Sequence, residues 1–311
     1  MHLLLYFAIS LMYPRKKTLR DGRVLEKASA RAAWRMVQEA PHTRTHRVGE
    51  QLMLTGPAFA SVRFDRGEYA VQGKQLIVRA AQARTAASQT DGDTGRSIWD
   101  GSVALAKFIE HCASDRADAS AASVGAVELV QRRVLGSPAK RRRTAALELG
   151  AGTGLAGLAA AAVGMRYVAL TDLEYCLPTL RSNAEETVAA SPAGAFEGSS
   201  IGVHVLDWLK PSLAGLGGPF ALVLGADVVW LEALVAPFVA TLALALRAER
   251  GAIGVLAHQT RAEATDTALF AAMRGAGLQW ERVALSSFME PLPAPLQILV
   301  VSVAEREARE L

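Results

Sequence analysis

Apolar runs alternate with amphipathic segments from residue 144 to the C-terminus. Short apolar runs, most of them ending in Gly or Asp, predict five strands, at 144–150, 167–172, 201–208, 220–227 and 251–258. Helical periodicity between them predicts four helices, at 155–163, 177–188, 231–246 and 262–275. Two more strands, at 278–285 and 296–304, follow each other around a Pro-rich bend without a helix. Because parallel strands need crossovers, the pattern predicts an α/β fold: a doubly wound, mostly parallel, seven-stranded Rossmann-like sheet with an antiparallel last strand.

The pattern before residue 144 is weaker. Two strand-like pieces, 61–64 and 75–79, are separated by Gly67 and Gly73 and predict a hairpin. Helical spacing of apolar residues follows at 98–111 and again at 126–135. We therefore divide the chain into a basic segment at 1–58, a hairpin and helix extension at 59–143, and a ligand-binding domain at 144–311.

The basic charge of the chain is concentrated near its start. The net charge is +4, but residues 1–47 hold ten Lys and Arg against three Asp and Glu, a net +7, which leaves −3 for the rest. The body therefore lacks the basic character of a nucleic-acid-binding domain, and we expect no nucleic-acid partner. Residues 1–58 are interpreted either as a disordered segment or as a targeting segment, and organelle targeting stays open.

Membrane and metal sites are not predicted. The apolar run at 3–9 is shorter than the about 20 residues that span a bilayer, and no later stretch is long and uncharged enough. The two cysteines, Cys112 and Cys176, cannot form a closed four-cysteine zinc site, and no cluster of metal ligands is evident. Two cysteines also form no disulfide framework, so a reduced intracellular compartment is expected.

A glycine loop follows the first strand of the alternating region, in the sequence Glu148-Leu-Gly-Ala-Gly-Thr-Gly-Leu155. Gly150, Gly152 and Gly154 allow a tight turn and close approach of a ligand to the next helix N-terminus. The dinucleotide fingerprint would need a third glycine at the position of Leu155, and a triphosphate loop would need Gly-Lys-Ser/Thr, so neither is indicated. Glu148 favours a positively charged ligand. S-adenosylmethionine, with a sulfonium, an ammonium and no phosphate, fits this loop.

Acidic residues also end the next three strands. Asp172 lies 22 residues after Gly150 and is placed to accept the hydroxyls of a ribose. Asp207 and Trp208 end the third strand, where an acid and an aromatic plane suit an adenine. Ala226 and Asp227 end the fourth. Because the carboxyl ends of parallel strands share one edge of the sheet, we expect these residues in one crevice.

Together these motifs resemble the lysine methyltransferase family of seven-β-strand, S-adenosylmethionine-dependent enzymes. The resemblance covers roughly residues 61–304 and includes Trp99-Asp100-Gly-Ser-Val-Ala-Leu-Ala and Leu224-Gly-Ala-Asp-Val-Val-Trp230. It implies the class I methyltransferase fold. It also implies cofactor contacts, at Trp99, Gly150, Ala151, Gly152, Asp172, Trp208 and Ala226. Eukaryotic members methylate non-histone proteins, including chaperones and translation factors, so the resemblance implies a substrate protein of that class. We expect a cytoplasmic location, with the nucleus as a second one.

The acceptor side of the site is expected at Asp227 and Trp230. The family signature Asp-x-x-Tyr reads Asp227-Val-Val-Trp230 here, which keeps an aromatic face and loses the phenol hydroxyl. We expect Asp227 to accept a hydrogen bond from the incoming amine, and Trp230 to pack on the methylene stem of the lysine. The predicted function is protein-lysine N-methylation of a non-histone protein. The alternatives are another acceptor (protein histidine or a small molecule), a non-catalytic cofactor-binding module, and, more distantly, an NAD-linked oxidoreductase.

Two further features have competing interpretations. His258 ends the fifth strand, either as a general base or as a side chain that caps the strand end. The run Lys140-Arg-Arg-Arg143 precedes the first strand, where a solvated turn is favoured over a nuclear localisation signal or a phosphate patch.

Overall fold

The computed structural model of the chain describes residues 68–79, 95, 98–114, 124–260, 262–289 and 296–304, together with four short strands nearer the N-terminus. Those four strands form two antiparallel pairs: β1 (Lys16–Thr18) with β2 (Val24–Glu26), and β3 (Thr45–Val48) with β4 (Gln51–Leu54). The chain divides into two compact units, one of residues 1–43 and 83–93 and one of residues 44–82 and 94–311. The predicted boundaries after residues 58 and 143 stay predictions, as does a targeting role of the leader.

A β-hairpin precedes the helices of the second unit. Strand β5 (Glu68–Val71) pairs with β6 (Lys74–Ile77), and the turn residues Gln72 and Gly73 have φ of +48° and +76°. Positive φ at both central residues is typical of the two-residue turn whose twist matches that of the strands. This turn fixes the register, so the strand that pairs with β6 lies immediately before the turn. The strand predicted at 61–64 lies outside the described residues.

Three helices connect the hairpin to the sheet: α1 (Asp100–Ala113), α2 (Val124–Val130), which continues into a π-helical turn (Gln131–Leu135), and α3 (Pro138–Arg141). They confirm the helices predicted at 98–111 and 126–135. The basic run at 140–143 is exposed except for Arg141, so the solvated-turn interpretation is wrong for that residue. The Arg141 guanidinium is buried because it donates hydrogen bonds to the carbonyls of Ala113 and Leu135, at 3.4 Å and 2.5 Å.

The remaining elements alternate as the hydrophobic pattern predicts. They are β7 (Ala145–Leu149), α4 (Leu155–Ala162), β8 (Tyr167–Asp172), α5 (Leu177–Ala190), β9 (Ser200–Val205), β10 (Leu222–Ala226), α6 (Glu232–Ala248), β11 (Ile253–Gln259), α7 (Glu263–Gly275), β12 (Leu278–Val283) and β13 (Leu296–Val303). Strands β7 to β13 form one sheet in the order β12-β13-β11-β10-β7-β8-β9. Strand β13 is antiparallel to both of its neighbours and the other pairings are parallel. This order confirms the predicted doubly wound, mostly parallel sheet with its antiparallel last strand.

The two faces of the sheet are covered by different helices. Leu224 and Val255 belong to the core that includes α1 and α4, and Val223 and Leu256 belong to the core that includes α6 and α7. Successive side chains thus alternate between the faces, as in any strand. From β7 the chain winds outward through β8 to β9 and then returns to β10 on the other side of β7. Ligands of such sheets bind at the carboxyl ends of the strands at this switch point, here between β7 and β10.

Candidate functional site

The glycine loop between β7 and α4 is held in a conformation that favours glycine. Gly150, Gly152 and Gly154 have φ of +66°, +54° and +89°. A Cβ on Gly150 would lie 2.9 Å from Val228 Cγ1 and 3.1 Å from the Trp208 ring, closer than packed atoms normally approach. The loop therefore needs glycine both for its backbone angles and for the space that the missing side chains leave.

Asp172 ends β8 and is bound to this loop. Its Oδ2 accepts the N–H of Gly152 at 2.7 Å, and its Oδ1 accepts the N–H of Leu173 at 2.7 Å. Burial raises the pKa of the Asp172 carboxyl, while these two donors and the Cys176 thiol act in the opposite direction. A carboxylate has about four lone-pair directions and three donors use three of them, so capacity remains for a hydroxyl donor such as that of a ribose.

Glu148 lies beneath the loop. The residue is 1% exposed, and its Oε2 accepts the N–H of Gly157 in α4 at 2.8 Å. Burial raises the pKa of Glu148 from 4.5 to about 8; the Gly157 hydrogen bond opposes this change and the charge of Asp172 adds to it. The observed partner of Glu148 is thus the first turn of α4, and contact with a cofactor stays a prediction.

Trp208 and Asp207 follow β9, which ends at Val205 and not at 208 as the pattern suggested. The Trp208 ring lies against the position of Gly150 and packs edge-on against Phe238 of α6, with 5.2 Å between ring centroids. The Asp207 Oδ1 accepts the N–H of Leu209 at 2.9 Å and so stabilises a local turn. The structure therefore brings Trp208 to the glycine loop, while the observed contact of Asp207 is with its own turn.

Asp227 follows Ala226 at the end of β10 and has φ of +53°, which is unusual for a residue other than glycine. Its N–H donates to the Ala257 carbonyl at 2.9 Å, and its Oδ2 accepts the N–H of Gly101 at 3.0 Å. Strand alternation after Val223 and Gly225 would turn the Asp227 side chain toward α6. The left-handed conformation turns it toward α1 instead. Such strained residues cost about 1–3 kcal/mol and cluster at functional sites.

The two remaining predicted tryptophans lie beside these residues in the chain. Trp99 is the residue before α1, is half-buried, and its carbonyl accepts the N–H groups of Ser102 and Val103. The bond from Gly101 to Asp227 places this end of α1 at the end of β10. Trp230 is half-buried and stands in the chain between Asp227 and the start of α6. The predicted residues around α1, the glycine loop, β8 and β10 thus lie at the carboxyl edge of one sheet.

Two glycines that the sequence analysis did not assign to the site, Gly95 and Gly101, adjoin it. A Cβ on Gly101 would lie 2.7 Å from Asp227 Oδ2, and a Cβ on Gly152 would lie 3.2 Å from the carbonyl oxygen of Gly95. Gly95 belongs to a stretch that reads as a polar linker, and the first turn of an apolar helix gives no hint that it binds a carboxylate. Only the tertiary contacts reveal that both residues adjoin the site.

His258 faces away from this crevice. Its Nε2 lies 2.8 Å from Asp266 Oδ1 of α7, and Asp266 Oδ2 accepts the hydroxyl of Thr260 at 2.7 Å. The rings of His258 and Phe270 also pack edge to face, with their centroids 6.2 Å apart. These partners support the interpretation of His258 as a side chain that fixes the end of the strand.

The described residues contain neither a metal centre nor a membrane-spanning helix. No group of three or more His, Cys, Asp or Glu side chains is arranged to hold a metal ion. Across the same part of the chain, no helix combines the length and apolar character needed to cross a bilayer.

Known proteins resemble the chain in sequence and fold. Residues 80–276 match the family model described as lysine methyltransferase. Protein N-lysine methyltransferase METTL21A of Mus musculus is 33% identical over 135 residues, 43% of this chain and 48% of the relative, and the Danio rerio protein of that name gives the same figures. The chain spans about half the length of these curated relatives. Among solved structures, the CcbJ methyltransferase of Streptomyces caelestis has a TM-score of 0.41 at 15% identity, covering 68% of this chain and 92% of that one.

Proposed function

Because the chain belongs to the lysine methyltransferase family, we propose that it is an S-adenosylmethionine-dependent protein-lysine N-methyltransferase of a non-histone protein. One observation carries the proposal: the glycine loop touches the strand end that bears Asp227. A Cβ on Gly150 would lie 2.9 Å from Cγ1 of Val228, the residue after Asp227. The loop that would hold the methyl donor and the strand end that would hold the acceptor thus lie so close together that no methyl group fits between them.

The residues of the crevice fit S-adenosylmethionine. Gly150 and Gly152 have left-handed backbones, and Trp208 and Val228 pack against Gly150 where a Cβ would otherwise stand. The Asp172 carboxylate keeps acceptor capacity for a ribose hydroxyl. Trp208 supplies an aromatic face beside the loop, and Trp99 and Ala226 complete the expected contacts. When bound, this cofactor supplies an electrophilic methyl group on a sulfonium sulfur.

The chain's own task is to hold and orient the amine. A lysine amine has a pKa near 10.4 in water, and it reacts only after it has lost a proton. Asp227 would accept an N–H of this amine, and the Gly101 N–H holds the carboxylate in place. Asp227 would hold the amine so that its lone pair is directed at the methyl group, and Asp227 or water would take the proton that the nitrogen releases on methylation. Such alignment lowers the barrier by several kcal/mol.

Trp230 would form the wall that receives the rest of the lysine. Its ring suits the methylene stem and attracts a cationic head. The family resemblance supports a chaperone or translation factor as substrate, and the relatives named above are protein N-lysine methyltransferases. We place the reaction in the cytoplasm, which agrees with two buried cysteines that are not joined in a disulfide.

The test is transfer of a radiolabelled methyl group to a cell extract that is then resolved by size. Asp227→Asn is the informative variant because Asn tolerates a left-handed backbone and still accepts the Gly101 N–H. We expect labelling of a discrete protein band to fall by about 100-fold, while the affinity for S-adenosylhomocysteine, measured by calorimetry, stays the same. Glu185→Gln, which changes an exposed carboxylate on α5, is the matched control.

Two outcomes would contradict the proposal. If the wild-type chain binds S-adenosylhomocysteine and labels no protein, the acceptor is a small molecule or the chain is a non-catalytic module. If Asp227→Asn weakens cofactor binding as much as labelling, Asp227 belongs to the cofactor site and not to the acceptor site.

A further inference from the structure

Gln259 is a buried polar side chain at the same edge of the sheet. It is the last residue of β11, the neighbour of β10, and it is 4% exposed. Within the part of the chain that the structure describes, no donor reaches its Oε1. A buried acceptor without a donor is destabilising, and such atoms are uncommon in folded proteins.

The direction of this side chain follows from strand alternation. Ala257, two residues earlier, belongs to the core formed with α1 and α4, whereas His258 binds Asp266 of α7 on the other face. Gln259 therefore faces the α1 side of the sheet. The Asp227 carboxylate is on that same side, since it accepts the Gly101 N–H of α1.

The two residues also end adjacent strands. Ala226 is in register with Ala257, and the N–H of Asp227 donates to the Ala257 carbonyl. Asp227 therefore follows Ala226 by one residue, just after the end of β10. Gln259 follows Ala257, the partner of Ala226, by two residues and is the end of β11. A carboxylate and an amide carbonyl consequently lie at the same edge and on the same face of the sheet.

We propose that Gln259 positions the acceptor amine, its Oε1 accepting one N–H while Asp227 accepts the other. This inference rests on the proposed function. A neutral primary amine has two N–H bonds and one lone pair, so two acceptors fix the direction of the lone pair. An amide oxygen suits this role because it is uncharged and does not strengthen the hold of the amine on the proton that it must lose.

The test compares Gln259→Leu with the wild-type chain on the purified acceptor protein that the transfer assay identifies. Loss of a neutral hydrogen bond predicts a rise of about three- to tenfold in the KM for that protein. The affinity for S-adenosylhomocysteine should not change. The midpoint of urea unfolding should stay the same or rise, because an apolar side chain of similar size replaces an acceptor that has no donor.

Two further variants complete the design. In Gln259→Met the new side chain is unbranched, like that of glutamine. If Gln259→Leu fails to fold, this variant tests the same loss of the hydrogen bond to the amine. Gln279→Leu is the matched control, since Gln279 is an exposed residue of β12 that donates a hydrogen bond to Ser302. We expect wild-type KM for this control.

A KM unchanged in Gln259→Leu or Gln259→Met would overturn the inference and leave the proposed function standing. So would a parallel loss of acceptor and cofactor affinity, which indicates a structural role. If the wild-type chain labels no protein at all, the proposed function fails, and this inference fails with it.

Discussion

Replacing Glu148 by glutamine should change how stability depends on pH. Burial raises the pKa of this carboxyl from 4.5 to about 8, so the folded chain binds the proton more tightly than the unfolded chain does. The protonated carboxyl therefore makes its full contribution to the free energy of unfolding below about pH 4.5, and this contribution is lost as the pH rises to about 8. Glu148→Gln keeps a neutral acceptor for the Gly157 N–H and should remove this loss.

The magnitude follows from the two pKa values. A difference from 4.5 to about 8, at about 1.4 kcal/mol per pH unit, corresponds to about 5 kcal/mol above pH 8 and about 3 kcal/mol at pH 7. The variant should therefore be more stable than the wild type by about 3–5 kcal/mol in neutral to alkaline solution. Near pH 5 the difference should be below about 1 kcal/mol, because both folded proteins carry a neutral side chain there and the pH is only slightly above 4.5, the pKa of the carboxyl in the unfolded wild type.

Urea unfolding of both proteins at about pH 5, 7 and 8.5 measures this difference directly. The other carboxyl groups titrate in both proteins, so the change in the difference between them reports Glu148 together with its coupling to Asp172. A variant that is equally stable at all three pH values, or less stable at pH 8.5, would refute the reasoning. The carboxylate would then be ionised in the folded chain and stabilised by the amide groups at the start of α4.

Two further substitutions test other parts of the site. Gly152→Ala forces a left-handed residue to carry a Cβ that lies 3.2 Å from the Gly95 carbonyl oxygen, so it should weaken S-adenosylhomocysteine binding by about tenfold or more in calorimetry. Its control, Gly275→Ala, has open space around it and should bind normally. Asp266→Ala removes the partner of His258 and Thr260, so the free energy of unfolding should fall by about 1–3 kcal/mol with kcat unchanged. A large loss of kcat in the folded variant would instead point to a chemical role of His258.

The elements of the sheet were predictable because burial imposes a period on each of them. The run at 167–172 is apolar and ends at Asp172, and β8 has the same limits. The positions of the loops and turns are predicted from weaker sequence signals. The hairpin partner of β6 was placed at 61–64, while the two-residue turn at Gln72 and Gly73 sets it at Glu68–Val71. Apolar alternation is present in both segments, and the turn geometry decides between them.

The direction of Glu148 could not be read from the sequence. Every residue of β7 is buried, since helices cover both faces of the central strand, and such a strand shows no alternation of polar and apolar residues. The motif indicates an acid at the strand end, whereas the contact with Gly157 depends on how close α4 lies to the sheet.

Asp227 and Gln259 show why the acceptor site is the hardest part to predict. The sequence placed Asp227 at a strand end, where alternation would turn it toward α6. A single positive φ reverses this and brings the carboxylate to the Gly101 N–H of α1. Gln259 continues a regular strand and reaches the same side without such a change. The two side chains therefore lie on one face of the sheet only because one of the two strand ends departs from the strand pattern, and local sequence carries little information about that departure.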